Sequence, residues 1–478
     1  MAKKTVLAVD LGAESGRVMA VHYDGQGLQL EELHRFPNGP VDIHGTLYWD
    51  FLRLWSEITS GVAQGRSLQP VGIGVDTWGV DFALLDRDGN LLSSPVHYRD
   101  DRTSGMMDAV FARVPRQQIF AETGIQFMRI NTLYQMMSLV LGNSPLLATA
   151  ETFLMAPDLL NYWFTGTLAN EYTIASTTQM LGAEERDWAW DLLAKLDIPA
   201  HLFKEIVHPG QRLGHFQEIP VFTTGSHDTA SAVAAVPAAT ADYCYISSGT
   251  WSLIGVETSQ PYLGHKALEA NVTNEGGVNN AIRLLQNSTG LWIVQQCRKQ
   301  WQKAGNSYSY GQLVELARAA APLKSFIDVN DPSFLPPGDH PQLVRDFCRR
   351  TAQKEPDTVG ETIRIVLESL ALNYRRTVES LLAVSGCAVD VIHIVGGGMQ
   401  NELLNQLTAN ATGRPVIAGP VEATVIGNAL VQLIAIGELR DLAEGRDLVR
   451  TMSAWHHYEP QDASLWAEAY QRYCSLLD

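Results

Sequence analysis

Cysteine is scarce in this sequence. The five in 478 residues, Cys244, Cys297, Cys348, Cys387 and Cys474, are odd in number and form no CxxC pair. That excludes a disulfide framework and gives a structural zinc cluster no support; the pattern reads as the reduced thiols of a cytoplasmic protein. Long apolar runs are missing too. No stretch of about 18 uncharged apolar residues occurs, so no transmembrane helix is expected. The start, MAKKTVLAVDLG, has its apolar run broken by Asp10 after only five residues, too few for a signal-peptide core. Basic residues are in deficit, 35 Lys and Arg against 52 Asp and Glu, for a net charge of −17. Such a field argues against nucleic acid or an anionic membrane as partner and favours a neutral small molecule. Any polyphosphate would need local donors and a metal ion. No G-x-x-x-x-G-K-[ST] loop is present, nor an H-R-D with a downstream D-F-G, which excludes P-loop and protein-kinase-type phosphate sites.

What the chain does contain is ample apolar content, 46%, over a length that exceeds one ordinary core. Two domains, or at most three, are expected. Val6–Leu11, Arg17–Tyr23 and Leu28–Phe36 are short β-type runs separated by Gly turns, the pattern of a meander. Val71–Leu92 adds two more runs around Thr77-Trp78-Gly79, and residues 108–167 read as mainly helical. A second half opens near Ala238, with strands at Cys244–Ser247 and Leu253–Glu257. A long helix is predicted over Glu361–Ala383, where Ile363, Val366, Leu370, Tyr374, Val378 and Leu381 recur at spacings of three and four. Val389–Gly419 then reads as strand, Gly turn, helix, Gly stop and strand, a parallel β-α-β unit with three glycines at a strand's carboxyl end. No Pro/Gly/Ser-rich linker separates the halves, so the boundary, set at 237/238, is expected to be a packed hinge.

Three small-residue turns draw attention chemically. Asp10 to Arg17 (DLGAESGR) and Ser248-Gly249-Thr250 expose backbone N–H groups free of bulky side chains, as a phosphate needs. Taken alone, the first is equally an ordinary hairpin turn, and Arg17 suits a phosphate donor or a surface arginine. The third, in VFTTGSHDTAS (Val221–Ser231), sets Asp228 at a strand-turn-helix, where a carboxylate is placed to take a proton from a bound hydroxyl or merely to cap a helix. His227 fits a substrate donor or a satisfied core imidazole, Asn287 a polar anchor or a turn residue, and Trp78 the core or a sugar platform. Two phosphate turns and a base point to phosphoryl transfer.

In their order, AVDLGAESGRVM, GVDTWGVDFALLD, YRDDRT, GIQFMRINTLYQ, SHDTASAV, SSGTWSL, NEGG, GLW, HIVGGGMQN and GPVEATVIGNAL span nearly the whole chain. They resemble the FGGY carbohydrate kinases of the actin, Hsp70 and hexokinase superfamily. The resemblance implies an α/β fold of two ribonuclease-H-like domains around a central cleft: 1–237 for sugar and base, 238–478 mainly for nucleotide. It implies Asp228 as catalytic base with Gly79, His227, Thr229 and Asn287 around the sugar. Ala13, Glu14, Ser15, Gly16, Arg17, Thr250, Gln295 and Gly397 become the ATP contacts, and Asp10 a holder of Mg²⁺ through water. Glu14 departs from the small or hydroxyl residue usual there, setting a carboxylate near anionic phosphates. The implied reaction is ATP-dependent phosphorylation of the C1 hydroxyl of L-rhamnulose, with another ketose or polyol, or a non-catalytic sugar or nucleotide sensor, as alternatives. The expected partners are therefore a ketose and MgATP, in a monomer or small homo-oligomer.

Overall fold

The computed structural model describes residues 3–452 and 455–477. The chain forms two compact units. The first comprises Met1–Ala239, Glu257–Leu284 and Ala423–Ser453, the second Thr240–Val256, Leu285–Glu422 and Ala454–Asp478.

In the first unit β1 (Lys4–Leu11), β2 (Ser15–Tyr23) and β3 (Leu28–Pro37) form the antiparallel meander. β1 is buried at every residue after Lys4, the reason its apolar run is continuous rather than alternating. Helix α1 (Phe51–Gly65) covers the sheet with Phe51, Leu54, Ile58 and Val62, and the Asp50 side chain accepts from Arg53 N–H at its start. β4 (Ile73–Thr77) lies parallel to β1. β5 (Arg212–Phe216) and β6 (Ile219–Phe222) complete the order β5-β6-β4-β1-β2-β3, with β6 parallel to β4. Three parallel strands thus end side by side, at the edge where open α/β sheets bind ligands. Beyond β6, the Thr77 N–H donates to Ser226 O at 2.9 Å, carrying the chain along this edge into helix α2 (Asp228–Ala234).

The helical expectation for 108–167 holds over Thr132–Leu141 and Ala156–Thr165 but fails at Thr152–Met155. Those four residues form a strand antiparallel to Phe82–Leu85. TFLM is too short to show a period of its own, and the distant partner decides its state.

The second unit repeats the hairpin. β7 (Tyr243–Ser248) turns through Gly249 and Thr250 into β8 (Trp251–Thr258). After β9 (Ile282–Thr289), whose residues up to Leu284 belong to the first unit, and helix α3 (Trp292–Lys303) comes α4 (Val359–Ser385), the predicted long helix. A Thr358/Glu361 capping box opens it and a left-handed Gly386 ends it. β10 (Val391–Val395), α5 (Glu402–Thr412) and β11 (Val416–Ala418) form the predicted β-α-β unit, with β10 parallel to both β7 and β11.

Helix α6 (Ala423–Ala435) belongs to the first unit, although a division at 237/238 leaves it, with residues 257–284, in the C-terminal half. Polar bonds account for its placement. Asn428 donates to Asp76 at 2.6 Å and Gln432 donates to Leu7 O at 3.0 Å.

Candidate active site

The parallel register of β1 and β4 sets Asp10 opposite Asp76. Asp228, the first residue of α2, joins them electrostatically. Desolvation raises its pKa and the charge of Asp10 adds to the rise, against the hydrogen bonds from Thr229. Asp76, fully buried, is held well above the usual carboxylate range, first by desolvation and next by the charge of Asp10, against the Asn428 hydrogen bond. Its Oδ1 has no hydrogen-bond partner among the described residues. Arg17 is no surface arginine: its Nε and Nη2 donate to Oδ2 of Asp10 at 2.9 and 2.7 Å. That pairing partly neutralises the crowded carboxylates.

Asp228 does not cap α2. The cap position is His227, whose side chain makes no capping bond. The Asp228 side chain keeps 31% of its surface accessible, and its carboxylate accepts from the Thr229 hydroxyl at 3.0 Å. His227 Nε2 lies 3.5 Å from Asp228 Oδ1. A Cβ added to Gly79 would come within 3.4 Å of that same Nε2 and 3.3 Å of Thr177, so glycine keeps the space before the imidazole open. Gly79, His227, Asp228 and Thr229 are therefore brought together. Trp78 is core: it is buried against Trp49, with ring centroids 4.0 Å apart, and donates to Asp81.

Behind this edge sits Glu171, fully buried. It accepts from the N–H groups of Thr173 (2.9 Å), Ile174 (3.1 Å) and Ser226 (3.3 Å) and from the Thr173 hydroxyl (2.6 Å), whose oxygen accepts from His227 N–H at 3.2 Å. The network fixes the backbone just before Asp228. Burial pushes Glu171 from 4.5 up to about 7. Between these values the folded chain keeps a proton that the unfolded chain has released. The associated stability is whole below about pH 4.5 and is lost as pH rises through about 7, an effect on the order of 3 kcal/mol. Glu171→Gln stays neutral throughout. Its thermal midpoint relative to the parent should climb between about pH 5 and pH 8; a difference constant with pH would contradict the protonated Glu171.

The first turn is a tight hairpin anchored to the loop after β3. Gly12 N–H donates to Ser15 O at 2.9 Å, Asn38 N–H donates to Glu14 O, and Asn38 Nδ2 donates to Gly12 O at 2.8 Å. Ala13 and Ser15 are half-buried and Gly16 is buried, while the Glu14 side chain is exposed. In the second unit Thr250 and Gln295 meet, with Gln295 Nε2 3.2 Å from the Thr250 hydroxyl. Gly397 is exposed with open space where a Cβ would stand. Its neighbour Gly398 is the glycine that packing requires, since a Cβ there would fall 2.1 Å from Ser248 Oγ. Asn287 is no turn residue. It is half-buried within strand β9.

Sequence reasoning assigned no chemistry to Asp76, Glu171, Glu275, Arg283 and Asn428. For Asp76 a signal existed: Val9-Asp10 and Val75-Asp76 repeat one dipeptide near the ends of two strands.

Residues 5–236 match the N-terminal domain of the FGGY family of carbohydrate kinases, and residues 244–436 match its C-terminal domain. The chain belongs to the FGGY family of carbohydrate kinases. Among its FGGY relatives, a rhamnulokinase of Bacteroides thetaiotaomicron is 42% identical over 482 residues, covering 98% of each chain. A rhamnulokinase of Pectobacterium atrosepticum is 42% identical over 486 residues, covering 100% of this chain and 97% of its own. A xylulose kinase from Lactobacillus acidophilus shares the FGGY fold with TM-score 0.78 at 17% identity, covering 99% of this chain and 97% of its own. The Plasmodium falciparum glycerol kinase with ADP does so with TM-score 0.76 at 15% identity, covering 99% and 98%. These likenesses establish the two-domain mixed α/β fold of an FGGY carbohydrate kinase, an enzyme whose co-substrate is ATP. Among the described residues, no helix is long and apolar enough to cross a membrane.

Proposed function

We propose that this kinase phosphorylates the C1 hydroxyl of L-rhamnulose, giving L-rhamnulose 1-phosphate and ADP. The observation that carries the reaction is Asp228, a recessed yet accessible carboxylate beside His227 where three parallel strands of the mixed sheet end. The choice of sugar is supported by the near-full-length likeness to proteins named rhamnulokinase.

In this reading residues 1–237 bind the sugar and supply the base, and residues 238–478 mainly hold the nucleotide. Asp228 accepts the hydroxyl proton as the C1 oxygen forms its bond to the γ-phosphorus and the bond from that phosphorus to the leaving ADP oxygen breaks. Burial lifts Asp228 toward the pH at which such a base works. Gly79, His227, Thr229 and Asn287 contact the sugar. The first turn, Ala13 to Arg17, with Thr250, Gln295 and Gly397, contacts ATP through N–H groups and small polar side chains.

The residues fit Mg²⁺ held through water. Among the described residues no group of three His, Cys, Asp or Glu is arranged for a metal, and Mg²⁺ on a phosphate substrate takes only one or two carboxylates. Asp10 and the unpartnered Oδ1 of Asp76 nevertheless present acceptors of the hard oxygen type that hydrated Mg²⁺ takes. When bound, the ion would supply neutralisation of phosphate charge.

The test is ADP release from MgATP against L-rhamnulose, L-fuculose, D-xylulose, L-ribulose, D-fructose and glycerol, with a no-sugar blank. The expected result is a kcat/KM for L-rhamnulose at least about tenfold above every other acceptor, roughly the discrimination one pocket contact gives. A different preferred acceptor would refute the sugar assignment. Absence of sugar-dependent ADP from folded protein would refute the reaction.

A further inference from the structure

We infer that Arg283 is a positioning residue acting through His227, holding the imidazole in its Nε2–H tautomer. It thereby presents a hydrogen-bond donor to the substrate, a role that rests on the sugar-kinase reading.

Arg283 lies near the start of β9 and its side chain is wholly buried. Its Nε donates to Gly276 O at 2.9 Å, which fixes the guanidinium plane. Its Nη2 stands 3.1 Å from His227 Nδ1. A guanidinium has five donors and no acceptor, and it does not deprotonate in proteins. The bond therefore has one polarity: arginine donates, Nδ1 accepts, and the neutral ring carries its hydrogen on Nε2. Glu275 compensates the buried charge, with Oε2 3.2 Å from Arg283 Nη2, as a buried cation requires.

Three charged groups face this imidazole, and they do not agree. Glu275 Oε2 also lies 3.3 Å from Nδ1, and by itself would favour a hydrogen there. On the other side Asp228 Oδ1, 3.5 Å from Nε2, favours a hydrogen on Nε2. Arg283 decides between them, because it is nearer to Nδ1 than Glu275 is and cannot reverse its polarity. The Nε2–H then faces Asp228 and the space that Gly79 keeps open.

The consequence is a division of labour. With its only basic nitrogen sealed against Arg283, His227 cannot compete for the substrate's proton. Asp228 accepts, and His227 donates to a sugar oxygen. Were Nδ1 protonated instead, a lone pair on Nε2 would face the Asp228 carboxylate. Both groups would then be acceptors, and a substrate hydroxyl would have two claimants for one proton.

The first measurement is ¹⁵N NMR of histidine-labelled native protein at about pH 8, with the His227 signals identified by their loss in His227→Gln. The expected spectrum has hydrogen on Nε2 and none on Nδ1. An Nδ1–H tautomer, or an imidazolium, would overturn the proposal. Because this measurement needs no turnover, it stands whether or not the kinase reading does.

The second uses Arg283→Met combined with Glu275→Gln, which removes the buried pair together and leaves neither charge stranded. Mixed tautomers are expected, with the sugar KM raised roughly three- to tenfold, the worth of one hydrogen bond, and the KM for ATP unchanged. In a His227→Gln background the amide presents an N–H without any tautomer to choose. There the same pair of substitutions should add nothing to the sugar KM. An equal rise in both backgrounds would show that Arg283 does not act through residue 227. Should the double variant fail to fold, the native spectrum alone decides.

Discussion

Asp228→Asn should lower kcat for sugar-dependent ADP release by about 10²- to 10⁴-fold, the usual cost of removing a general base. Asparagine keeps the shape of the side chain and a group able to accept from the Thr229 hydroxyl, so α2 and its surroundings should persist. What it lacks is a lone pair basic enough to take the C1 proton. Binding of ATP, assigned to Thr250, Gln295 and Gly397 of the second unit and to the first turn, should stay near that of the parent; ATP titration by calorimetry separates the two effects. Parent enzyme gives a further handle. Desolvation and the charge of Asp10 raise the Asp228 pKa, so the acid limb of the kcat/KM profile should lie above the range of an ordinary aspartate. Removing the Asp10 charge with Asp10→Asn should move that limb toward lower pH. An Asp228→Asn enzyme with near-parent turnover would remove Asp228 from the chemistry.

How much of this was legible beforehand follows the range of the interactions concerned. The meander, the β-α-β unit and the helix over Val359–Ser385 are set by local pattern, and each lies where its apolar period and Gly punctuation indicate. Asp228 announces itself through a local break between a strand and a helix of small residues. Asp76 is different. Its significance arises when β4 pairs in parallel with β1 and brings it opposite Asp10, and no window of sequence contains both strands. Asn428, which donates to Asp76, is 352 residues away. Arg283 and Glu275 carry ordinary side chains on ordinary strands until the fold brings them to His227. Thr152–Met155 failed for the same cause at smaller scale, because four residues take their state from a partner strand. Local chemistry is written in neighbouring residues; the electrostatic setting of a base is written in the topology.

Gly427→Ala should cost the first unit more stability than a surface change of the same size, and should impair catalysis without touching substrate. α6 crosses α2 with its backbone nearly in contact. A Cβ at 427 would fall 1.7 Å from Ser231 O and 2.6 Å from Ser231 C. Neither atom belongs to a flexible side chain that can swing aside, so the two helices must separate. Overpacking of this kind costs about 1–3 kcal/mol. The separation would act on a well-satisfied interface: Ser231 Oγ donates to Gly225 O at 2.7 Å, and on the α6 side Asn428 holds Asp76 while Gln432 Nε2 donates to Asn428 Oδ1 at 2.7 Å. One end of α2 is Asp228. Shifting the helix therefore moves Asp228, the proposed base, relative to Asp10 and Asp76, and a displacement near 1 Å is enough to cost about 10²-fold in rate. Thermal melts should show a midpoint lower by a few degrees, at about 2 °C per kcal/mol for a unit of more than roughly 250 residues. At a temperature where the variant remains folded, kcat should fall while the KM for ATP stays within about twofold. A variant with unchanged midpoint and unchanged kcat would mean that the contact between α2 and α6 is looser than described, and that α6 does not hold the base in place.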